Sequence, residues 1–265
     1  MDLVTTFANS SEFENAVELL NKHSLVFRTV SPAPGYERVG TSALVLDEET
    51  RWEMQRREPD RFMCAGWIDY HPSQIAVPTS SPAEYTEDVF GTTAIMVLKP
   101  CAADSSKLRT VAHISGDLTA AFPYANAVSP DAFYNVKAHT FTISEAHRIV
   151  TLHPRRIAMA KADNIVDAWR LLEALRIRFN DCWKRRSEIV PSLALRTRPP
   201  ALEIYYRLPK LNCRQCGEPT CMAFAMKLWS GRAKLAECRP VFEADHIQLR
   251  DPLVEICAGL GVPDN

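Results

Sequence analysis

The first sixty residues alternate between two kinds of apolar pattern. "LVTTF" (3–7) is β-branched and apolar throughout, which predicts a strand. "SSEFENAVELLNKH" (10–23) opens on serines that can cap a helix. Its Phe13, Ala16, Val17 and Leu20 recur at helical spacing, which predicts an amphipathic helix. "LVFRTV" (25–30) predicts a second strand, closed by "SPAPG", and "SALVL" (42–46) a third. "DEETRWEMQRR" (47–57) reads as a charged helix with Asp47 as its cap. A β-α-β-β-α order over residues 1–70 suggests a small α/β unit or half of a ferredoxin-like sandwich.

"HPSQIAVPTSSPAEY" (71–85), rich in Pro and Ser, reads as an ordered connector. Strands are expected at 92–100 and 107–115, and no pattern stands out over 116–136. Residues 137–143 alternate like a strand, 145–153 suit either strand or helix, and 156–162 suit a strand. The strongest helical signal is 163–188. There Ile165, Trp169, Leu172, Leu175, Phe179 and Cys182 form one apolar stripe at spacings of three and four. Prolines then interrupt "IVPSLALRTRPP" (189–200), which marks a boundary, and 201–210 suit a short helix. The expected fold is α+β: an N-terminal α/β body with subdomains at 1–70 and 84–190, then a small helical unit at 201–265.

Composition narrows the function classes. Apolar residues make up 46% and charged residues 24% of 265, enough for a real core without disulfide staples. A net charge of −1 gives no general drive toward nucleic acid or acidic membranes. "MDLVTTFANSSEFENA" lacks the basic and apolar regions of a secretory signal, and no apolar run approaches the roughly 20 residues that span a bilayer. The expected location is the cytoplasm, where thiols stay reduced. Yet four of the eight cysteines fall in 27 residues, "NCRQCGEPTCMAFAMKLWSGRAKLAEC". In a reducing compartment such crowding points to metal or redox chemistry.

The spacing is Cys213-x2-Cys216-x4-Cys221-x16-Cys238. A [4Fe–4S] cluster takes four thiolates around a compact cube, so a tight loop can supply three and a later segment the fourth. Gly217 allows close backbone approach. Thr220 suits a helix cap with Cys221 at the first helical position, where N–H groups and the macrodipole favour an anion. Met222 to Trp229 supply an apolar wall, and Gly231 ends that helix. Four thiolates also suit tetrahedral zinc, although zinc ribbons pair two Cys-x2-Cys knuckles and only one is present here. The run "LPKLNCRQCGEPTCMAFAMKLWSGRAKLAEC" resembles the four-cysteine [4Fe–4S] domain of the large subunit of corrinoid iron–sulfur proteins. It is also similar to a domain in the B subunit of Rnf-type electron-transport complexes. The resemblance covers about residues 205–245 and implies that Cys213, Cys216, Cys221 and Cys238 ligate the iron of a [4Fe–4S] cluster. It does not extend to the first 200 residues, so corrinoid binding is not implied.

Other residues invite weaker readings. Cys64, Cys101, Cys182 and Cys257 are scattered and read as packing residues, with Cys101 at a strand end where it could line a site. His113, His139, His147 and His153 lie within 41 residues in a strand-rich region. A hairpin turning at Ser144-Glu145 would pair His139 with Val150 and Thr142 with His147, placing His139 and His147 on opposite faces. Lys184, Arg185, Arg186, Arg196 and Arg198 form a basic cluster that could dock an acidic redox partner. No phosphate-cradling loop or catalytic triad is evident, and no catalytic residue is assigned. The leading expectation is an electron carrier or accessory protein serving a metalloenzyme, rather than an enzyme. Delivery of a cluster or metallocofactor is one alternative, and an enzyme with a substrate site in residues 90–160 is another.

Overall fold

The computed structural model describes residues 2–145, 147–195, 200–260 and 262. It mixes helices with antiparallel sheets in an α+β architecture. The first unit runs β1 (Asp2–Thr5), α1 (Ser10–Lys22), β2 (Arg28–Val30), β3 (Ala43–Asp47), α2 (Glu48–Arg57) and β4 (Ile68–Asp69). Its sheet order is β2-β3-β1-β4, every pair antiparallel. Asn9, one residue ahead of the expected serines, caps α1 by accepting from the Glu12 N–H at 2.9 Å. Asp47 caps α2 through the Thr50 N–H at 2.7 Å, as the sequence indicates. Ala16, Leu19 and Leu20 of α1 pack with Met54 of α2 on Phe7, Leu44 and Leu46. β2 is shorter than expected. The chain leaves α1 through Ser24 at φ 53 with the Leu25 N–H bonded to the Leu20 carbonyl, so Leu25 and Phe27 pack under the helices.

The opposite face of that sheet, with Val4, Ala43, Val45 and Ile68, joins the main core. The main core is built on a six-stranded antiparallel sheet. Its strands are β5 (Thr93–Cys101), β6 (Asp104–Ile114), β7 (Phe133–Asn135), β8 (Thr140–Glu145), β9 (Arg148–Leu152) and β10 (Arg156–Ala162), in the order β5-β6-β10-β9-β8-β7. Residues 116–136 contain a short helix, α3 (Phe122–Val128), and β7. Over one face lies α4 (Ile165–Lys184), capped by Asn164, which accepts from the Asp167 N–H at 3.0 Å. The expected apolar stripe is buried there, with Trp169 and Phe179 inaccessible to solvent at 1% and 0%. The connector packs against the same helix: Arg176 donates to the Ala83 carbonyl at 2.7 Å and Tyr85 to Asp181 at 2.9 Å.

The expected hairpin register is wrong. Glu145 pairs with Arg148, Ile143 with Val150 and Thr142 with Thr151. The strands therefore pair as far as Glu145 and Arg148, beyond the expected reversal at 144–145, and Phe141 and Ile143 lie on the α4 side with Val150 and Leu152. The difference is a slip of four positions, which leaves each side chain on its face but changes its partner. Phe141 lies opposite Leu152 rather than Arg148, and Ile143 opposite Val150, so apolar side chains pair on the buried face. His139 precedes β8 and His147 lies in the turn, so neither is a strand residue.

The last unit contains α5 (Leu202–Tyr205), α6 (Cys221–Trp229) and α7 (Ile247–Gly259), joined by irregular segments and 3₁₀ turns. α5 is a single turn, shorter than the 201–210 expectation. Ile204, Leu208, Phe224, Ala225, Leu228, Leu253 and Ile256 make its core. α7 lies on the sheet face opposite α4. The Thr142 hydroxyl donates to the Gly259 carbonyl at 2.8 Å, and Ile149 of β9 enters the core of this last unit. No described helix is long and apolar enough to cross a membrane.

Candidate iron–sulfur centre

The four clustered cysteines come together around one concavity, with Asn212, Glu218, Thr220, Phe224 and Pro240 among its other walls. Cys221 is the first residue of α6, as the spacing indicates. Thr220 caps the helix, its hydroxyl accepting from the Ala223 N–H at 3.1 Å. Upstream, the backbone winds through left-handed conformations at Lys210, Asn212, Arg214 and Gly217, φ 60, 49, 63 and 81. Such conformations cost a non-glycine residue roughly 1–2 kcal/mol, so the strain is concentrated where three thiols must turn inward. At Gly217 a Cβ would meet nothing within 4 Å. The left-handed backbone, rather than lack of room, is what calls for glycine there.

Asn212 is a site residue that the cysteine pattern does not reveal. Its N–H donates to Cys221 Sγ at 3.4 Å, and its side-chain oxygen accepts from the Cys221 N–H at 2.8 Å. This reciprocal pair ties the loop to the start of α6. The only sequence signal was its position directly before the first cysteine.

The exposures grade across the site. Cys213 is exposed, Cys216 half-buried, and Cys221 and Cys238 buried. Burial pushes the Cys238 thiol up to about 12; the Val241 N–H opposes this, and the Cys221, Cys216 and Cys213 thiolates add to it. Four thiolates at this spot therefore need a positively charged centre among them. The four thiols line one concavity, three from a single loop and helix start and one from a later segment, a donor set that fits the four corners of a [4Fe–4S] cube.

The remaining candidates sit apart. Cys182 and Cys257 are buried in core, and Cys64 packs against the α1–α2 core. Burial raises the Cys182 thiol above its ordinary range. Cys101 does line a cavity, away from the cluster loop. His113 and His139 are exposed, and His147 lies 3.3 Å from Asp163. His153 sits 3.0 Å from an Arg156 nitrogen, and burial, with that neighbouring charge, holds it down at about 4. Of the basic cluster, Arg185 faces Glu188 and Arg186 faces Glu87, each at 3.1 Å. Arg196 and Arg198 lie outside the described residues.

Comparison with known proteins agrees with this geometry. Residues 208–240 match the family model described as "Putative Fe-S cluster". The chain is 47% identical over 64 residues to the corrinoid/iron-sulfur protein large subunit of Moorella thermoacetica, covering 23% of this chain and 14% of that protein. It is 55% identical over 40 residues to the acetyl-CoA decarbonylase/synthase complex subunit gamma 1 of Methanosarcina thermophila, covering 15% and 8%. The subunit gamma of Methanocaldococcus jannaschii is 44% identical over 62 residues, covering 21% and 13%. The chain thus spans less than a sixth of the length of these relatives. No solved structure matches the chain. The C-terminal region is an iron–sulfur cluster domain, and its cofactor is of the [4Fe–4S] type.

Proposed function

We propose that this chain is an electron-transfer accessory protein that holds one [4Fe–4S] cluster through Cys213, Cys216, Cys221 and Cys238. The observation that carries the reading is the convergence of these four thiols on one concavity at the capped start of α6. The cluster supplies reversible one-electron chemistry when bound. The chain's own residues decide how it is held and reached. Asn212 and Thr220 fix the loop against the helix, and Phe224 and Pro240 wall the buried side. Exposed Cys213 marks the side from which a redox partner gains access, with Leu211 and Phe242 exposed nearby in the chain.

The partner is inferred to be a metalloenzyme, since the relatives are named as subunits of protein complexes. The basic residues Lys184, Arg185, Arg186, Arg196 and Arg198 are proposed to steer an acidic surface toward it. Residues 1–70 and 84–190 form the binding body in this proposal, 1–70 as a ferredoxin-like unit, and 201–265 the redox unit. The β2-β3-β1-β4 order and two helices on one face support the ferredoxin-like assignment. Cluster delivery is the second reading, favoured only by the exposure of Cys213.

Anaerobic redox titration followed by EPR, paired with transfer to an apo-ferredoxin, separates the two. A reversible one-electron couple without transfer over minutes is the expected result. Rapid, near-complete transfer without reversible reduction would put delivery first.

A further inference from the structure

A second cavity lies where the C-terminal unit meets the six-stranded sheet. β10 carries a bulge between Ala160 and Ala162, with Lys161 at φ 67. A bulge re-aims the side chain it carries. Here the Lys161 amine reaches Glu203 of α5, 3.4 Å from both carboxylate oxygens, and sits 5.4 Å from the centre of the Tyr206 ring. Arg207 holds the same carboxylate, donating to Glu203 Oε2 at 3.0 Å and to its carbonyl at 2.6 Å, both through Nη1. Arg207 Nη2 has no partner although the side chain is only 3% exposed, and Arg207 lines the cavity. Across the cavity Arg109 donates to Glu255 Oε2 at 2.8 Å, leaving Glu255 Oε1 unbonded and 3.8 Å from Arg156.

Charge and shape define what this place accepts. Four cations, the largely buried Lys161, Arg109 and Arg207 and the more exposed Arg156, face three carboxylates, Glu203, Glu255 and, in the outer cleft, Asp104. One positive charge is uncompensated, and a buried charge without a partner is costly. The enclosed part measures only about 20 Å³, room for one oxygen-sized group. Cys101 and Ala102 also wall a broad outer cleft of about 780 Å³ that Lys161 and Tyr206 line. We propose that this junction binds a small organic carboxylate, one carboxylate oxygen entering the narrow part to meet Arg207 Nη2, the carbon body lying toward the outer cleft, where the Lys161 amine supplies a second positive charge. A single negative charge balances the excess, and a planar group presenting one oxygen fits the narrow part better than tetrahedral phosphate. The site is separate from the cysteine concavity and does not depend on what the cysteines hold.

The test is titration of the full-length protein with acetate, succinate, benzoate, inorganic phosphate and chloride, read by thermal shift and calorimetry. At least one carboxylate is expected to bind saturably and more tightly than phosphate or chloride. Arg207→Lys keeps the charge but loses the fork, and is expected to weaken that carboxylate about tenfold, as loss of one charge-assisted bond does. Should that variant fail to fold, Lys161→Asn removes the amine while tolerating the left-handed backbone, and is expected to weaken binding severalfold. Iron and sulfide content is expected to stay unchanged in both. Absence of saturable binding, equal or tighter binding of phosphate or chloride, or unchanged affinity in the folded variants would overturn the proposal.

Discussion

Two of the four clustered thiols lie in the interior and one faces solvent, and this grading sets what single substitutions should do. Serine at Cys213, Cys216, Cys221 or Cys238 is expected to lose or convert the cluster. Serine at Cys64, Cys182 or Cys257 is expected to keep iron and acid-labile sulfide near four each per chain and change only stability. Metal and sulfide analysis of anaerobically purified variants decides it. His153 makes a different residue-scale prediction. Its pKa is held near 4, below the 6.5 of an unfolded histidine, so the unfolded chain binds the extra proton first. Its contribution is fully present above pH 6.5 and is lost as pH falls toward 4. The expected outcome is a shallower decline in stability across pH 6.5 to 4 for His153→Gln than for the parent chain. Denaturant midpoints measured at several pH values check it; equal slopes would contradict it.

At the scale of elements, α6 is where local sequence and cofactor chemistry meet. Its nine residues are too few to be stable alone, so the cap and the packing of Phe224 and Leu228 hold it. Thr220→Ala removes the acceptor for the Ala223 N–H and is expected to cost about 1 kcal/mol. Because the same turn carries Cys221, cluster loss under a chelator should also quicken. Chemical denaturation and the decay of visible absorbance measure the two effects, and an unchanged decay rate would separate the cap from the site.

At the scale of the whole molecule, the iron–sulfur unit is seated on the sheet through the end of α7. Gly259 lies against β8 and β9 so closely that a Cβ would come within 2.4 Å of Thr151 Oγ1 and 3.0 Å of Thr142 Oγ1. Those hydroxyls belong to short, β-branched side chains fixed in the sheet, so the helix itself would have to lift. Gly259→Ala is therefore expected to destabilise the chain by about 1–3 kcal/mol, the usual cost of overpacking. Faster proteolysis between residues 189 and 203 should accompany it. A parent-like melting temperature and cleavage rate would show that the seat yields without cost.

What the sequence determined by itself was whatever rests on short-range pattern. The capped start of α6 at Thr220, the apolar stripe of α4, the cap at Asp47 and the strand character of β5 and β10 all follow from neighbours a few positions apart. The cysteine spacing belongs with them, because three of the thiols lie within nine residues. Long-range choices were not legible. The hairpin register depended on which side chains would meet across the strand pair, and the Asn212–Cys221 clamp on how the loop folds back onto its helix. The junction cavity needed β6, β10, α5 and α7 together, and the sequence separates Arg109 from Glu255 by 146 positions. No local periodicity encodes such a pairing, since the free energy that selects it is the burial of two distant surfaces against each other.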